Sequence, residues 1–284
     1  MNFIDITPGE VACGKMEGKH LEQAVEALRV DGFVVLNDVV DVGHVEVLRG
    51  KMLEDVERIL AREDAPYNFN RGNVQQDPPP FAPYLFRDVL VNDVVAELTC
   101  ALLGEGVKNA YYSGNTALPS EGRQPVHPDA AQLWSGMEWA PPAFGVVVNV
   151  PVVDMEPENG STELWPGTHL DTTYSLADKS VRIPEEMLAP WREERPPVQP
   201  SVRRGSVVLR DIRLWHAGMP NCSREARPMI AMIHWCRWWN SRPVIFEKGT
   251  EEIFEHSVLA TDARFVEGPI DYINRNAAYD LQDE

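Results

Sequence analysis

The feature that most constrains this chain is a change of pattern near residue 108. Before it, apolar residues recur at helical spacing; after it, short β-branched and aromatic runs dominate. The stretch LEQAVEALRV reads as a helix that stops at Asp31-Gly32, with an extended apolar segment following from Phe33 to Leu36. In HVEVLRGKMLEDVERILARED, Val45, Leu48, Met52, Val56, Ile59 and Leu60 share a helical face with charges between them. Residues 66–83 are polar and proline-rich and fit neither repeat, which is the pattern of a lid or binding loop. A shorter helix, VVAELTCALLG, ends at Gly104. From 108 onward KNAYYSGNTAL, FGVVVNVPVVD, GSVVLRD and PMIAMIHWCRWW read as strands, separated by Gly/Pro/Asn clusters. The charged stretch 171–200 reads as a surface excursion with a short helix around Pro184 to Trp191. Helices first and strands second predict an α+β, mainly β fold with an antiparallel double-sheet core. No repeat or linker divides the chain. It reads as one domain over 1–284, with helices in roughly 20–105 and the strand core in roughly 108–240.

Composition narrows the function classes. With 44% hydrophobic residues and 8 Trp, 7 Tyr and 9 Phe, the chain can bury a large core. Its 26 basic against 44 acidic residues give a net charge of −18. Such a surface repels nucleic acid and anionic membranes. It could favour a cationic small substrate, although ordinary acidic solubility is the commoner reason for such a balance. Cys13, Cys100, Cys222 and Cys236 show no paired spacing and read as reduced thiols. The N-terminus lacks the apolar stretch of a signal peptide, and no apolar run approaches the roughly 18 residues of a membrane helix. A cytoplasmic location is expected.

The chemistry concentrates in two strings, QPVHPDAAQLW and RLWHAGMPNCSREARPM. On a strand, residues two apart face the same side, so His127 and Asp129 can both aim into a barrel mouth while Pro128 points away. His216 follows the strand GSVVLRD and a turn-like IRLW, which makes it the best third ligand from a distant strand. Two histidines and one carboxylate with open positions form the ligand set of non-haem Fe(II) oxygenases. The other histidines fit this role poorly. His20 and His44 lie in the helical third, His169 in a PGTH turn, His234 inside an apolar strand, and His256 in a charged stretch. Arg227 opens the apolar run PMIAMI, and an arginine entering a core needs an anion. A planar guanidinium holds a carboxylate bidentately, so a carboxylate-bearing cosubstrate or a protein acid would satisfy it. Arg224 falls in the polar loop and reads as solvated.

DGFVVLNDVV, QPVHPD, ENGSTELWPGTH, RRGSVVLRDIRLWHAGMPN and SREARPM together resemble the phytanoyl-CoA dioxygenase family of Fe(II)/2-oxoglutarate oxygenases, over about residues 25–240. The resemblance implies a double-stranded β-helix (jelly-roll) core with the N-terminal helices packed on one sheet. It places Fe(II) on His127, Asp129 and His216, sets the distal carboxylate of the cosubstrate 2-oxoglutarate against Arg227, and makes O2 the second cosubstrate. Further cosubstrate contacts implied are Ser113, Asn115 and Thr116 from the strand before the HxD motif, with Thr162 a further candidate. The family often carries Ser or Thr two positions past the distal histidine; here that position is Gly218, so the contact is lost. Trp134 can wall the substrate pocket or belong to the core. Related halogenases lack the carboxylate ligand, so Asp129 implies hydroxylation, desaturation, ring formation or a related oxidation with release of succinate and CO2. The expected substrate is a small specialised metabolite. If it bears amines, Asp77, Glu121, Glu138 and Asp211 are candidates to surround it.

Two rivals stand beside this reading. A cupin-like hydrolase or isomerase would use the same triad on Zn(II) or Mn(II) and give Arg227 no role; a non-catalytic metal-binding or ligand-binding protein would have the fold without turnover. Substrate walls are expected from residues 66–86, 130–142 and 240–265. WCRWWN suits a pocket wall, a buried edge strand or a homodimer surface.

Overall fold

A computed structural model describes residues 2–175 and 181–281. The strands are β1 (Phe3–Asp5), β2 (Phe33–Asn37), β3 (Tyr67–Asn68), β4 (Asn70–Gln75), β5 (Lys108–Ala117), β6 (Gly145–Pro151), β7 (Glu163–Leu164), β8 (Val207–Asp211), β9 (His216–Ala217), β10 (Arg227–Trp235), β11 (Val244–Glu247), β12 (Ala260–Thr261) and β13 (Ala263–Val266). The α-helices are α1 (Pro8–Cys13), α2 (Gly18–Val30), α3 (Val42–Leu60), α4 (Arg87–Leu90), α5 (Asp93–Leu103) and α6 (Glu185–Glu194). The large sheet runs β1-β2-β8-β6-β10-β5-β4-β3, with β12 also beside β5. Opposite it, β7 pairs with β9, and short bridges (His127 to His216, Leu164 to Val198, Met155 to Val202) build the second layer. This is the expected jelly-roll core.

Strand periodicity decides what each face of the large sheet does. Val34 and Leu36, Val146, Val148 and Val150, Val207 and Leu209, and Ile230 and Met232 point one way. There they bury against Ala24 and Leu28 of α2, Leu48 and Met52 of α3, and Val95 and Leu98 of α5. The alternate residues, Val147, Asn149, Arg210, Met229, Ala231 and Ile233, line a cavity on the other face. A sheet with helices on one face and a site on the other explains why its central strands read as unbroken apolar runs. Gly32, at φ 81, lets α2 turn sharply into β2; a Cβ there would strike the His169 ring at 2.6 Å.

Residues 67–75 depart from the sequence expectation of an irregular segment: they form β3 and β4 and extend the sheet beside β5. Val74 enters the core, whereas Gln75 lines the cavity. Polar side chains turned toward a site erase the apolar alternation that announces a strand. No helix among the described residues is long and apolar enough to cross a membrane.

His234 is a core residue, its Nδ1 3.0 Å from the Thr99 hydroxyl of α5. Burial pushes its pKa down to about 3. The unfolded chain takes up this proton near the ordinary value of about 6.5, and the folded chain only near 3. Stability therefore falls as pH drops through that window, by about 1.4 kcal/mol per pH unit from this residue. His234→Leu should flatten the difference between denaturation at pH 7 and pH 4.5; an unchanged slope would mean that the folded chain already carries a charged His234.

Candidate metal centre and cosubstrate site

The segment carrying His127 lies antiparallel to the one carrying His216, and each of the two residues donates its backbone N–H to the other's carbonyl at 3.0 Å. The pairing continues where Ala130 N–H donates to Ile212 O at 3.1 Å. Pro128 is buried, and Asp129, two residues beyond His127, points into the cavity. One ligand atom from each of His127, Asp129 and His216 lies within 4.8 Å of the others.

The backbone also selects the histidine tautomers. His127 Nδ1 lies 2.8 Å from Pro125 O, and His216 Nδ1 lies 3.0 Å from Leu214 O. A carbonyl only accepts, so each Nδ1 carries the proton and each Nε2 keeps a free lone pair. His216 Nε2 is 3.7 Å from Asp129 Oδ1. Burial lowers both histidine pKa values, His216 well below the ordinary range, with Arg210 adding to the effect. For Asp129, burial acts upward, but Arg210, His216 and His127 outweigh it and hold the carboxyl far below the usual range. At neutral pH the cluster therefore offers two neutral imidazoles and one carboxylate, the protonation state a divalent metal requires. Because protonation of the imidazoles is shifted downward, Mn(II) affinity is expected to hold from pH 8 to pH 6 and to weaken only below. A titration series that weakens with a midpoint near 6.5 would contradict this.

Arg227, the first residue of β10, is only 2% exposed. Its Nη2 donates to Gly160 O at 2.8 Å and its Nε to Asn159 O at 3.3 Å, and no carboxylate pairs with it among the described residues. Burial pushes its pKa down to about 10, so it stays cationic at pH 7. A buried guanidinium supplied with carbonyls but no anion awaits one from outside the chain. Asn115 and Thr162 line the same cavity as Arg227, and Asn115 Nδ2 is buried with no hydrogen-bond partner among the described residues. These groups fit a dicarboxylate whose far end meets Arg227.

Ser113 stands apart: it donates to Asp77, accepts from Gln75 Nε2 at 2.7 Å, and is absent from the cavity wall. Thr116 is buried and donates to Gln76 Oε1. At Gly218 a Cβ would lie 2.6 Å from Gln124 Oε1, which accepts the Gly218 N–H at 2.8 Å. Gln124 thus takes the space that a side chain at position 218 would need, and it lines the cavity itself.

The acids suggested for an amine-bearing substrate lie elsewhere. Asp77 pairs with Arg275 at 2.5 Å and Asp211 with Arg213 at 2.7 Å, while Glu121 and Glu138 are exposed outside the cavity wall. Trp134 is exposed and also outside it; Trp235 and Trp239 from WCRWWN are the tryptophans in the wall. Sequence reasoning missed Arg210, Tyr111 and Gln124. Arg210 was legible by the argument applied to Arg227, an arginine in the apolar run VVLRDI.

Fold and site together define a non-haem iron dioxygenase that depends on 2-oxoglutarate. The chain belongs to the phytanoyl-CoA dioxygenase family, whose profile matches residues 28–229. Dioxygenase af480 of Aspergillus fumigatus is 25% identical over 220 residues, covering 76% of this chain and 67% of that protein. Among solved structures, AviO1 from Streptomyces viridochromogenes Tue57 superposes with a TM-score of 0.58 at 23% identity, over 80% of this chain and 100% of that one. The epimerase SnoN in complex with Fe3+, α-ketoglutarate and nogalamycin RO gives 0.60 at 16% identity, over 92% and 99%. At these identities the structural likeness speaks for the fold.

Proposed function

We propose that the chain, as a single domain over 1–284, binds Fe(II) through His127, Asp129 and His216 and 2-oxoglutarate through Arg227. Asn115 and Thr162 add polar contacts to that cosubstrate. The carrying observation is that the three ligand atoms and an anion-seeking guanidinium share one cavity of about 460 Å³. When bound, the iron and 2-oxoglutarate supply the oxidising chemistry, with succinate and CO2 as coproducts. The chain's own residues orient both reactants: two backbone carbonyls fix the imidazoles, and Arg227 anchors the cosubstrate at its far end. Hydroxylation, desaturation or a related oxidation is the reaction class.

The substrate we propose is a small, uncharged, ring-bearing metabolite. Among the described residues Asp129 is the one carboxylate in the cavity wall, so a polyamine would meet few counter-charges there. The outer wall is apolar and aromatic instead. Trp239 stacks on Trp235 at 4.3 Å and 1°, with Phe144 stacked against it at 5.3 Å. The segment with exposed Trp134 and Trp139 runs from Ala130 in the wall to Phe144 under that stack. SnoN, whose structure carries nogalamycin RO, supports a small-molecule substrate.

Succinate release should be screened against uncharged ring-bearing metabolites and polyamine sugars at matched concentration, with His127→Ala as background. Ring-bearing compounds are expected to stimulate release. Trp239→Ala should raise their KM about tenfold, the equivalent of roughly 1.4 kcal/mol of stacking. Stimulation by the polyamine sugars alone would overturn the substrate class and leave the cosubstrate reading standing.

A further inference from the structure

Arg210 lies inside β8, is 6% exposed, and reaches the proposed metal centre from the large sheet. Its Nη2 donates to Asp129 Oδ2 at 2.5 Å. Its Nε donates to Asn149 Oδ1 at 3.4 Å, from neighbouring β6. Its Nη1 lies 3.4 Å from His216 Nδ1, whose proton goes to Leu214, so that contact is one of proximity. The Asp129 carboxylate is 34% exposed toward the cavity, and its hydrogen bond from Arg210 is the one it makes among the described residues. Its two oxygens are therefore inequivalent. Oδ2 belongs to a guanidinium fixed on two strands, and Oδ1 faces His216 Nε2.

We infer that Arg210 is a positioning residue that restricts Asp129 to one-oxygen coordination. The inference rests on the metal assignment proposed above. A carboxylate can occupy one position on a metal or two. Two imidazoles and one carboxylate oxygen leave three positions of an octahedron open. A 2-oxoglutarate molecule binding through two oxygens, together with O2, needs all three. If Asp129 swung its second oxygen onto the ion, the last position would close. Arg210 opposes that swing, because the swing would break a charge-assisted bond and leave a buried guanidinium without its anion. Asn149 keeps the fork aimed by accepting from its third arm.

The test uses the full chain loaded with Mn(II), whose exchangeable inner-sphere waters are counted by water-proton relaxation. Wild type should show three waters and Arg210→Met two, with Mn(II) affinity retained or increased. Anaerobic addition of 2-oxoglutarate to the Fe(II) form of Arg210→Met should then give a weakened visible charge-transfer band. Three waters in Arg210→Met would overturn the inference, since the carboxylate would stay monodentate unaided. Four waters with weaker Mn(II) binding would overturn it too, since Asp129 would have let go rather than closed on the ion. If Arg210→Met does not fold, Asn149→Ala, which frees the fork, is read by the same count and should fall in the same direction. His127→Ala separates this inference from its foundation: wild-type Mn(II) binding in that variant would sink the metal assignment itself, whatever Arg210 does.

Discussion

Replacing Arg227 with methionine is expected to raise the 2-oxoglutarate concentration for half-maximal succinate release by at least about 30-fold, with the protein still folded. The expectation follows from what surrounds the guanidinium. It is buried, it donates to two backbone carbonyls, and no carboxylate pairs with it among the described residues. Removing one partner of a buried, hydrogen-bonded charge pair costs roughly 2–5 kcal/mol. At about 1.4 kcal/mol per tenfold, that spans from about 30-fold to several thousand-fold. Thermal unfolding distinguishes this role from a structural one. Without cosubstrate, Arg227→Met should melt no lower than wild type, because a desolvated cation has been replaced by an apolar chain of similar length. Added 2-oxoglutarate should stabilise wild type and leave the variant unmoved. An unaltered 2-oxoglutarate requirement would show that another group, and not Arg227, holds the far carboxylate of the cosubstrate.

His127→Ala and His216→Ala are each expected to abolish tight metal binding and to lower turnover on the order of 10³-fold. Changing a residue that merely orients a metal-binding side chain typically costs 10–100-fold, and losing the donor itself should cost more. Fold should survive, because the mutual N–H···O bonds between residues 127 and 216 belong to the backbone and remain. Mn(II) titration followed by unfolding of the metal-free protein checks both halves. A variant that still binds Mn(II) as wild type does would show that the three donors, though close together, are not the site.

Much of this architecture was legible before any coordinates. The helical faces of α2, α3 and α5 and the apolar strands β6, β8 and β10 are local periodicities, and local periodicity is written in consecutive residues. Residues 67–75 escaped that reading for a physical reason: Asn68 of β3 and Gln75 of β4 turn to the cavity, so the pattern resembles a loop, whereas 76–83 are irregular as expected. The triad was legible because HxD spacing places two donors on one strand face, and because the other five histidines sat in helical, turn, core-strand or charged contexts that suit a ligand poorly. His169 Nε2 meets Arg29 O at 3.1 Å and His256 Nε2 meets Asp93 at 2.9 Å, bearing out two of those contexts.

The partners of the charged side chains were not legible. Asp77 and Asp211 looked free to meet an amine, yet each is engaged by an arginine that the sequence leaves unassigned, one almost two hundred residues away. Arg210 looked like an ordinary strand residue until β8 was seen packed across from Asp129. The sequence by itself determined which donors this chain owns and which face of its strand each one takes. Only the tertiary structure decided which charges neutralise one another and which remain for a ligand. The reason is physical: side-chain direction follows from two backbone dihedrals nearby, whereas ion pairing depends on sheet register between segments far apart in the chain.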